Sequence, residues 1–79
     1  MDRKDVLEKL TEVFRIVFDD DSLVITNNTT SSDIEDWDSL EQINLIVGIE
    51  KKFNIKFKLE EVTGLENVGA MVDLIVSKL

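Results

Sequence analysis

The sequence predicts an all-α protein, a small four-helix bundle of three longer helices and one short third helix, with a long loop between helices 1 and 2. Apolar residues recur at three- and four-residue spacing in three separate segments. Residues that favour helix N-caps precede each of these segments. A chain of 79 residues suffices for one domain. We therefore expect residues 1–79 to form a single domain around one core.

The first helix is predicted from about Asp2 to Phe18. Asp2 is placed to cap it, and the run Asp19-Asp20-Asp21 opposes the negative end of the helix dipole. One face carries the apolar residues Val6, Leu7, Leu10, Val13, Phe14, Val17 and Phe18.

Residues 19–38 are predicted to form a long connection, because residues 27–32 are all Asn, Thr or Ser, which favour turns. We expect the apolar run 23–25 to attach this loop to the core. Residues 32–35 are compatible with a short helical turn.

The second helix is predicted from Asp38-Ser39 to about Phe53-Asn54. Its apolar residues cover an arc of roughly 200°, which is too wide for packing on one neighbour. The arc indicates contacts with two or three helices, or additional apolar surface for a ligand. We expect the opposite arc to be exposed; it holds Glu41, Asn44, Gly48, Lys51 and Lys52.

Residues 54–58 are predicted to be an extended link, followed by a brief helix over Leu59–Thr63 that Gly64 ends. Asn67 is placed to cap the last helix. The core-facing residues of that helix are predicted to be Val68, Met71, Val72, Ile75 and Leu79.

Composition excludes several classes of function. The chain has no Cys and no His, so it cannot form a Cys–His nucleophile, a Ser-His-Asp triad or a thiolate or imidazole metal site. The acidic loops lack the ligand spacing of a calcium-binding EF-hand, and no metal site is predicted. A net charge of −8 opposes binding to nucleic acid or anionic lipid and favours basic protein partners. The polar N-terminus favours a cytoplasmic location.

The segment Asp38-Ser39-Leu40 allows two interpretations. Asp38 or Ser39 can act as a helix N-cap, as Asp and Ser commonly do. Alternatively, Ser39 carries a phosphate ester, because the free N–H groups and positive dipole at a helix N-terminus accommodate phosphate. Acidic residues crowd the segment 33–41, which contains no Lys or Arg. They would repel a free phosphate, but they suit docking of a basic enzyme that installs the group.

The segment around Ser39 and several others along the chain are similar to those of a known family. The sequence resembles the acyl carrier proteins, which are four-helix domains bearing phosphopantetheine, through Trp37-Asp38-Ser39-Leu40, Leu45-Ile46, Ile49-Glu50, Phe53-Asn54-Ile55 and Asn67-Val68-Gly69. The resemblance implies that Ser39 is the attachment site of 4′-phosphopantetheine, whose thiol carries acyl groups as thioesters. It also implies that the chain is a carrier and not an enzyme.

The resemblance further implies two surfaces. Docking to partner enzymes is expected at Asp36, Asp38, Leu40, Glu41 and Glu50. The candidates for an acyl-chain cleft between helices 2, 3 and 4 are Ile43, Ile46, Val47, Phe53, Val62, Ala70 and Met71. Each of these residues can equally belong to an ordinary core.

The expected partners are a phosphopantetheinyl transferase and acyl-activating, acyltransferase or ketosynthase-type enzymes, each acting on a monomeric carrier. Asn44, Lys51 and Lys52 stand where carriers of fatty acid synthesis usually have acids. A specialised lipid, polysaccharide or secondary-metabolite pathway is therefore expected as readily as fatty acid biosynthesis. The alternative from another class is an unmodified acidic helical adaptor that binds basic proteins.

Overall fold

The computed structural model describes residues 1–79 and contains four α-helices and no strands. The helices are α1 (Arg3–Val17), α2 (Ser39–Phe53), α3 (Leu59–Val62) and α4 (Val68–Lys78), with a 3₁₀ turn at Ser31–Asp33. The predicted bundle of three longer helices and one short helix is confirmed. Helix α1 packs against both α2 and α4. Thirteen buried apolar residues form one cluster between the helices.

Each of the three longer helices begins at a side-chain cap. The carboxylates of Asp2 and Asp38 each accept a 2.9 Å hydrogen bond from the backbone N–H three residues ahead. The Oδ1 atom of Asn67 accepts a 2.8 Å bond from Ala70 N–H. Each cap satisfies an amide that the helix itself leaves without an acceptor. The caps predicted at Asp2 and Asn67 are confirmed, and Asp38 takes the cap position that the sequence had left open between Asp38 and Ser39.

The loop over residues 18–38 is held to the bundle at a few points. Ile25 is buried in the core. The carbonyl oxygens of Thr29 and Asn27 accept 2.9 Å hydrogen bonds from the N–H groups of Val68 and Gly69. The start of α4 is therefore fixed against the loop. Val24, which was expected to attach the loop as well, is 72% exposed, because it faces solvent between Leu23 and Ile25, which pack against or within the core.

Helix α2 buries Leu45, Ile49 and Phe53. The helical periodicity suggested that Gly48 lies on the exposed face of α2, and this prediction is wrong. Gly48 faces α1, where an added Cβ would lie 2.9 Å from Cγ1 of Val13. Gly48 therefore permits the close approach of α1 and α2.

The chain after α2 turns at Asn54, which adopts the left-handed conformation. Residues 55–58 form a link without regular secondary structure that leads into α3, and its last residue, Lys58, has an extended backbone. In α4, Val68, Met71, Val72 and Ile75 are buried as predicted, whereas Leu79 is exposed, because it lies after the last helical residue. No helix in the structure combines the length and the apolar character that crossing a lipid bilayer requires.

Candidate functional site

Ser39 is the first residue of α2, and its side chain is exposed. Because Asp38 provides the cap, the Ser39 hydroxyl is not used for capping. The backbone N–H groups of Ser39 and Leu40 donate to no acceptor in the chain. They lie at the positive end of the α2 dipole, where they can bind a phosphate group on the neighbouring hydroxyl.

Trp37 holds the segment that precedes Ser39. Its ring contacts Phe14 edge-to-face, with a centroid distance of 5.2 Å, and lies 6.2 Å from the ring of Phe18. Its Nε1–H donates a 2.6 Å hydrogen bond to Oε1 of Gln42, one turn into α2. The ring therefore anchors the long loop to α1, while the indole N–H ties it to α2. Trp37 also lines the cleft described next.

An open cleft of about 680 Å³ begins at Ser39 and runs between α2, α3 and the start of α4. Its polar lining includes Ser31, Gln42 and Asn67 as well as Ser39 itself. Its apolar lining consists of Trp37, Ile43, Ile46, Val47, Leu59, Val62, Leu65 and Met71. A cleft of this size and character fits an extended, largely apolar ligand.

The cleft contains five of the seven residues that the sequence marked for it, namely Ile43, Ile46, Val47, Val62 and Met71. Phe53 does not line it, because its side chain is in the core. Ala70 does not line it either. Sequence reasoning missed Leu59 and Leu65. Two leucines at the start of the short helix and just after it were a signal, but only the position of α3 in the folded chain brings them to the cleft.

Four of the five predicted docking residues lie together beside the α2 N-terminus. Asp36, Asp38, Leu40 and Glu41 line a recess against the end of α1, together with Glu35. Glu50 lies apart from them. Its Oε2 atom accepts a 2.9 Å hydrogen bond from Phe57 N–H, which ties the last turns of α2 to the link before α3.

Three apolar side chains of α2 are exposed, and two of them, Ile43 and Val47, also line the open cleft. Leu40, Ile43 and Val47 are 65%, 60% and 44% exposed, and they succeed one another at three- and four-residue spacing from the residue after Ser39. We refer to these three residues as the α2 stripe. The stripe accounts for the wide apolar arc of the sequence, because part of that arc faces solvent and not another helix.

Helix α3 forms one wall of the cleft and is held by Glu61. Its Oε1 atom accepts a 2.8 Å hydrogen bond from Lys58 N–H and lies 3.0 Å from Nζ of Lys78. These contacts lower the pKa of Glu61, the backbone bond from Lys58 most and the Lys78 ammonium next. The carboxylate form of Glu61 therefore joins α3 to the end of α4.

Comparison with known proteins shows which class of protein has this fold and this site. The family model described as "Phosphopantetheine attachment site" matches residues 4–75. A solution NMR structure of a holo acyl carrier protein from Geobacter metallireducens is 51% identical, with a TM-score of 0.86, over 92% of this chain and 84% of that chain. The fold and site thus define a domain for phosphopantetheine attachment. The chain belongs to the phosphopantetheine-binding acyl carrier protein family.

The residues present at the start of α2 fit phosphopantetheine. An exposed serine hydroxyl, two free amides and a cleft that opens beside them suit a phosphate ester with a long, partly apolar arm. When bound, the group supplies a thiol, which this chain lacks. Members of this family are non-catalytic carriers, which confirms the prediction that the chain is not an enzyme, and they serve phosphopantetheinyl transferases and acyl-handling enzymes. The acyl carrier interpretation is thereby favoured over the unmodified adaptor.

Proposed function

We propose that Ser39 carries the 4′-phosphopantetheine group and that the chain is a monomeric cytoplasmic carrier of acyl groups. The observation that supports this most directly is the position of Ser39, which is exposed at a helix N-terminus already capped by its neighbour. Four further serines occur in the chain, but none of them begins an α-helix.

Each element around Ser39 has a role in this proposal. The Asp38 cap leaves the amides of Ser39 and Leu40 for the phosphate oxygens. Trp37, held by Phe14 and Gln42, keeps the loop clear of the serine. The cleft is where part of an acyl chain would be shielded from water while the carrier is not docked.

The recess carboxylates and the α2 stripe form the docking surface in this proposal. Glu35, Asp36 and Glu41 would face the basic groups of a transferase or acyl-handling enzyme, which would accelerate its approach. The stripe would then supply apolar contact next to the attachment site. Glu50, already bonded to the backbone of Phe57, contributes less to docking than the recess residues.

The charge pattern supports a specialised lipid, polysaccharide or secondary-metabolite pathway over general fatty acid biosynthesis. Asn44 replaces an acid that carriers of fatty acid synthesis usually have, and its Nδ2 atom donates a 2.7 Å hydrogen bond to Oε1 of Glu41. Lys51 places a positive charge further along the same face. Both changes reduce attraction to a uniformly basic docking patch.

Intact-mass measurement tests the attachment. The unloaded chain is incubated with a phosphopantetheinyl transferase and coenzyme A, and the mass of one phosphopantetheine is expected to be added. Ser39→Ala is expected to remain unmodified. Ser32→Ala, which removes another exposed serine near the cleft, is expected to be modified like the parent. An adduct on Ser39→Ala, or none on the parent, would overturn the proposal.

Charge reversal tests the docking surface. Asp36→Lys is expected to lower kcat/KM for loading several-fold at low salt, because steering by exposed charges is screened as salt rises. Glu8→Lys makes the same charge change on an exposed position of α1 and is expected to have little effect. Equal losses for both variants would show that net charge, and not the recess, governs docking.

A further inference from the structure

The charged residues beside the exposed face of α2 are acidic at the start of the helix and include two lysines at its end. Its first turn adjoins Glu35, Asp36 and Glu41. Its far end adjoins a small recess of about 250 Å³ lined by Val47, Glu50, Lys51, Asn54, Ile55 and Lys56. Val47 belongs to both this recess and the cleft. The recess is therefore continuous with the surface that begins at Ser39.

Two lysines of this recess form no ion pair. Lys52 bonds Glu12 of α1 at 2.8 Å, and Lys78 bonds Glu61. Lys51 and Lys56 are both exposed and have no carboxylate within salt-bridge distance. Six of the nine basic residues of the chain form no ion pair, and two of these six lie together in this recess.

Helix stability does not account for both charges. Lys51 lies in the last turn of α2, where a positive charge is favourable to the helix dipole. Lys56 lies outside the helix, in the link between α2 and α3, where the dipole offers no such benefit. Both side chains nevertheless line the same recess.

We propose that Lys51 and Lys56 are the basic end of the docking face and select an acyl-handling enzyme that presents carboxylates opposite them. This inference rests on the proposed docking role of α2. Such a partner would contact the stripe with apolar groups and the far end of α2 with acids. An enzyme whose docking patch is basic throughout would place like charges against Lys51 and Lys56, and this repulsion gives the selectivity.

A second copy of the chain could also bind to this face, because its own acidic and basic ends would complement those of the first copy. The acidic end of one α2 could face the basic end of another, antiparallel to it. We favour the enzyme, because a dimer formed on this face would cover Leu40 and crowd Ser39. The oligomeric state is therefore measured alongside binding.

The test uses an acyl-handling enzyme with a uniformly basic docking patch, and a version of it in which the basic residues nearest the far end of α2 are changed to Glu. Dissociation constants are measured with the unloaded ¹⁵N-labelled chain from amide chemical shifts. Lys51→Glu/Lys56→Glu is compared with the parent and with Lys4→Glu/Lys9→Glu, which makes the same charge change on α1.

Relative to the parent, Lys51→Glu/Lys56→Glu is expected to bind the basic enzyme about tenfold more tightly at low salt and the Glu version about tenfold more weakly. The α1 control is expected to shift either constant by less than about twofold. Equal shifts for both double variants, or no shift, would overturn the proposal. So would a dimer of the parent that Lys51→Glu/Lys56→Glu dissociates. These measurements use the unloaded chain, so they do not depend on whether Ser39 can be modified. A failure of the attachment proposal would appear only in the intact-mass experiment.

Discussion

The Oε2 atom of Glu50 accepts a 2.9 Å hydrogen bond from the backbone N–H of Phe57, seven residues along the chain. The bond crosses the left-handed turn at Asn54 and ties the end of α2 to the link that leads into α3. A residue that the sequence marked for partner contact thus has an internal partner. The contact also helps to fix α3 as a wall of the cleft.

Glu50→Ala is expected to destabilise the chain by about 1–3 kcal/mol, because Phe57 N–H is part-buried and loses its charged acceptor. Glu50→Gln, which keeps an oxygen acceptor, is expected to lose less. Urea unfolding followed by circular dichroism measures both. Glu60→Ala, an exposed change within α3, is the control. Equal stabilities of the Glu50→Ala and Glu60→Ala chains would contradict a structural role for the bond.

Trp37→Phe is expected to cost about 1 kcal/mol, because Gln42 loses its donor while an aromatic ring still contacts Phe14. Trp37→Ala is expected to cost about 3 kcal/mol, since the ring contacts with Phe14 and Phe18 are lost too. Thermal unfolding followed by circular dichroism orders the two variants. If Trp37→Phe is as unstable as Trp37→Ala, the hydrogen bond and not the ring dominates the anchor.

Gly69→Ala is expected to destabilise the chain by about 1–3 kcal/mol, because the new Cβ would lie 2.9 Å from the carbonyl oxygen of Asn27. That oxygen also accepts the Gly69 N–H bond, so the loop cannot withdraw without losing it. Gly64→Ala is the matched change, with no atom within 4 Å of the new Cβ. It is expected to be neutral or to stabilise by up to about 1 kcal/mol. Calorimetric melting of both variants tests this, and similar melting temperatures would refute it.

The contribution of Glu61 is expected to depend on pH. Its pKa in the folded chain is lowered by Lys58 N–H and Lys78, so its stabilising effect is present above the ordinary pKa of 4.5 and is lost as pH falls through the folded value. The stability difference between the parent and Glu61→Gln is therefore expected to be largest near neutral pH and to shrink in acid. Urea unfolding at several pH values measures it, with Glu66→Gln as an exposed control. A difference that stays constant with pH would rule out this linkage.

Local signals in the sequence predicted most of the helical framework. Asp2 and Asn67 were identified as caps because a cap depends on residues only three positions apart. The left-handed turn at Asn54 ends α2 where the sequence placed its end. The prediction for Gly48 was wrong because its surroundings depend on residues that are far away along the chain. Its contact with Val13 lies between two helices, and helical periodicity within α2 alone does not report it.

Ser39, the acidic segment before it and the wide apolar arc of α2 are features of the sequence by itself, and they were enough to indicate the family. Tertiary structure decided how the arc is used, with Leu45 in the core, Ile46 in the cleft and Ile43 at the exposed margin that joins cleft and stripe. It also decided that Lys52 is paired with Glu12 while Lys51 and Lys56 are not. The physical reason is that caps and amphipathic faces arise from neighbours within one or two turns. A cleft, an ion pair between helices and an unpaired charge depend on how the elements are arranged around α1.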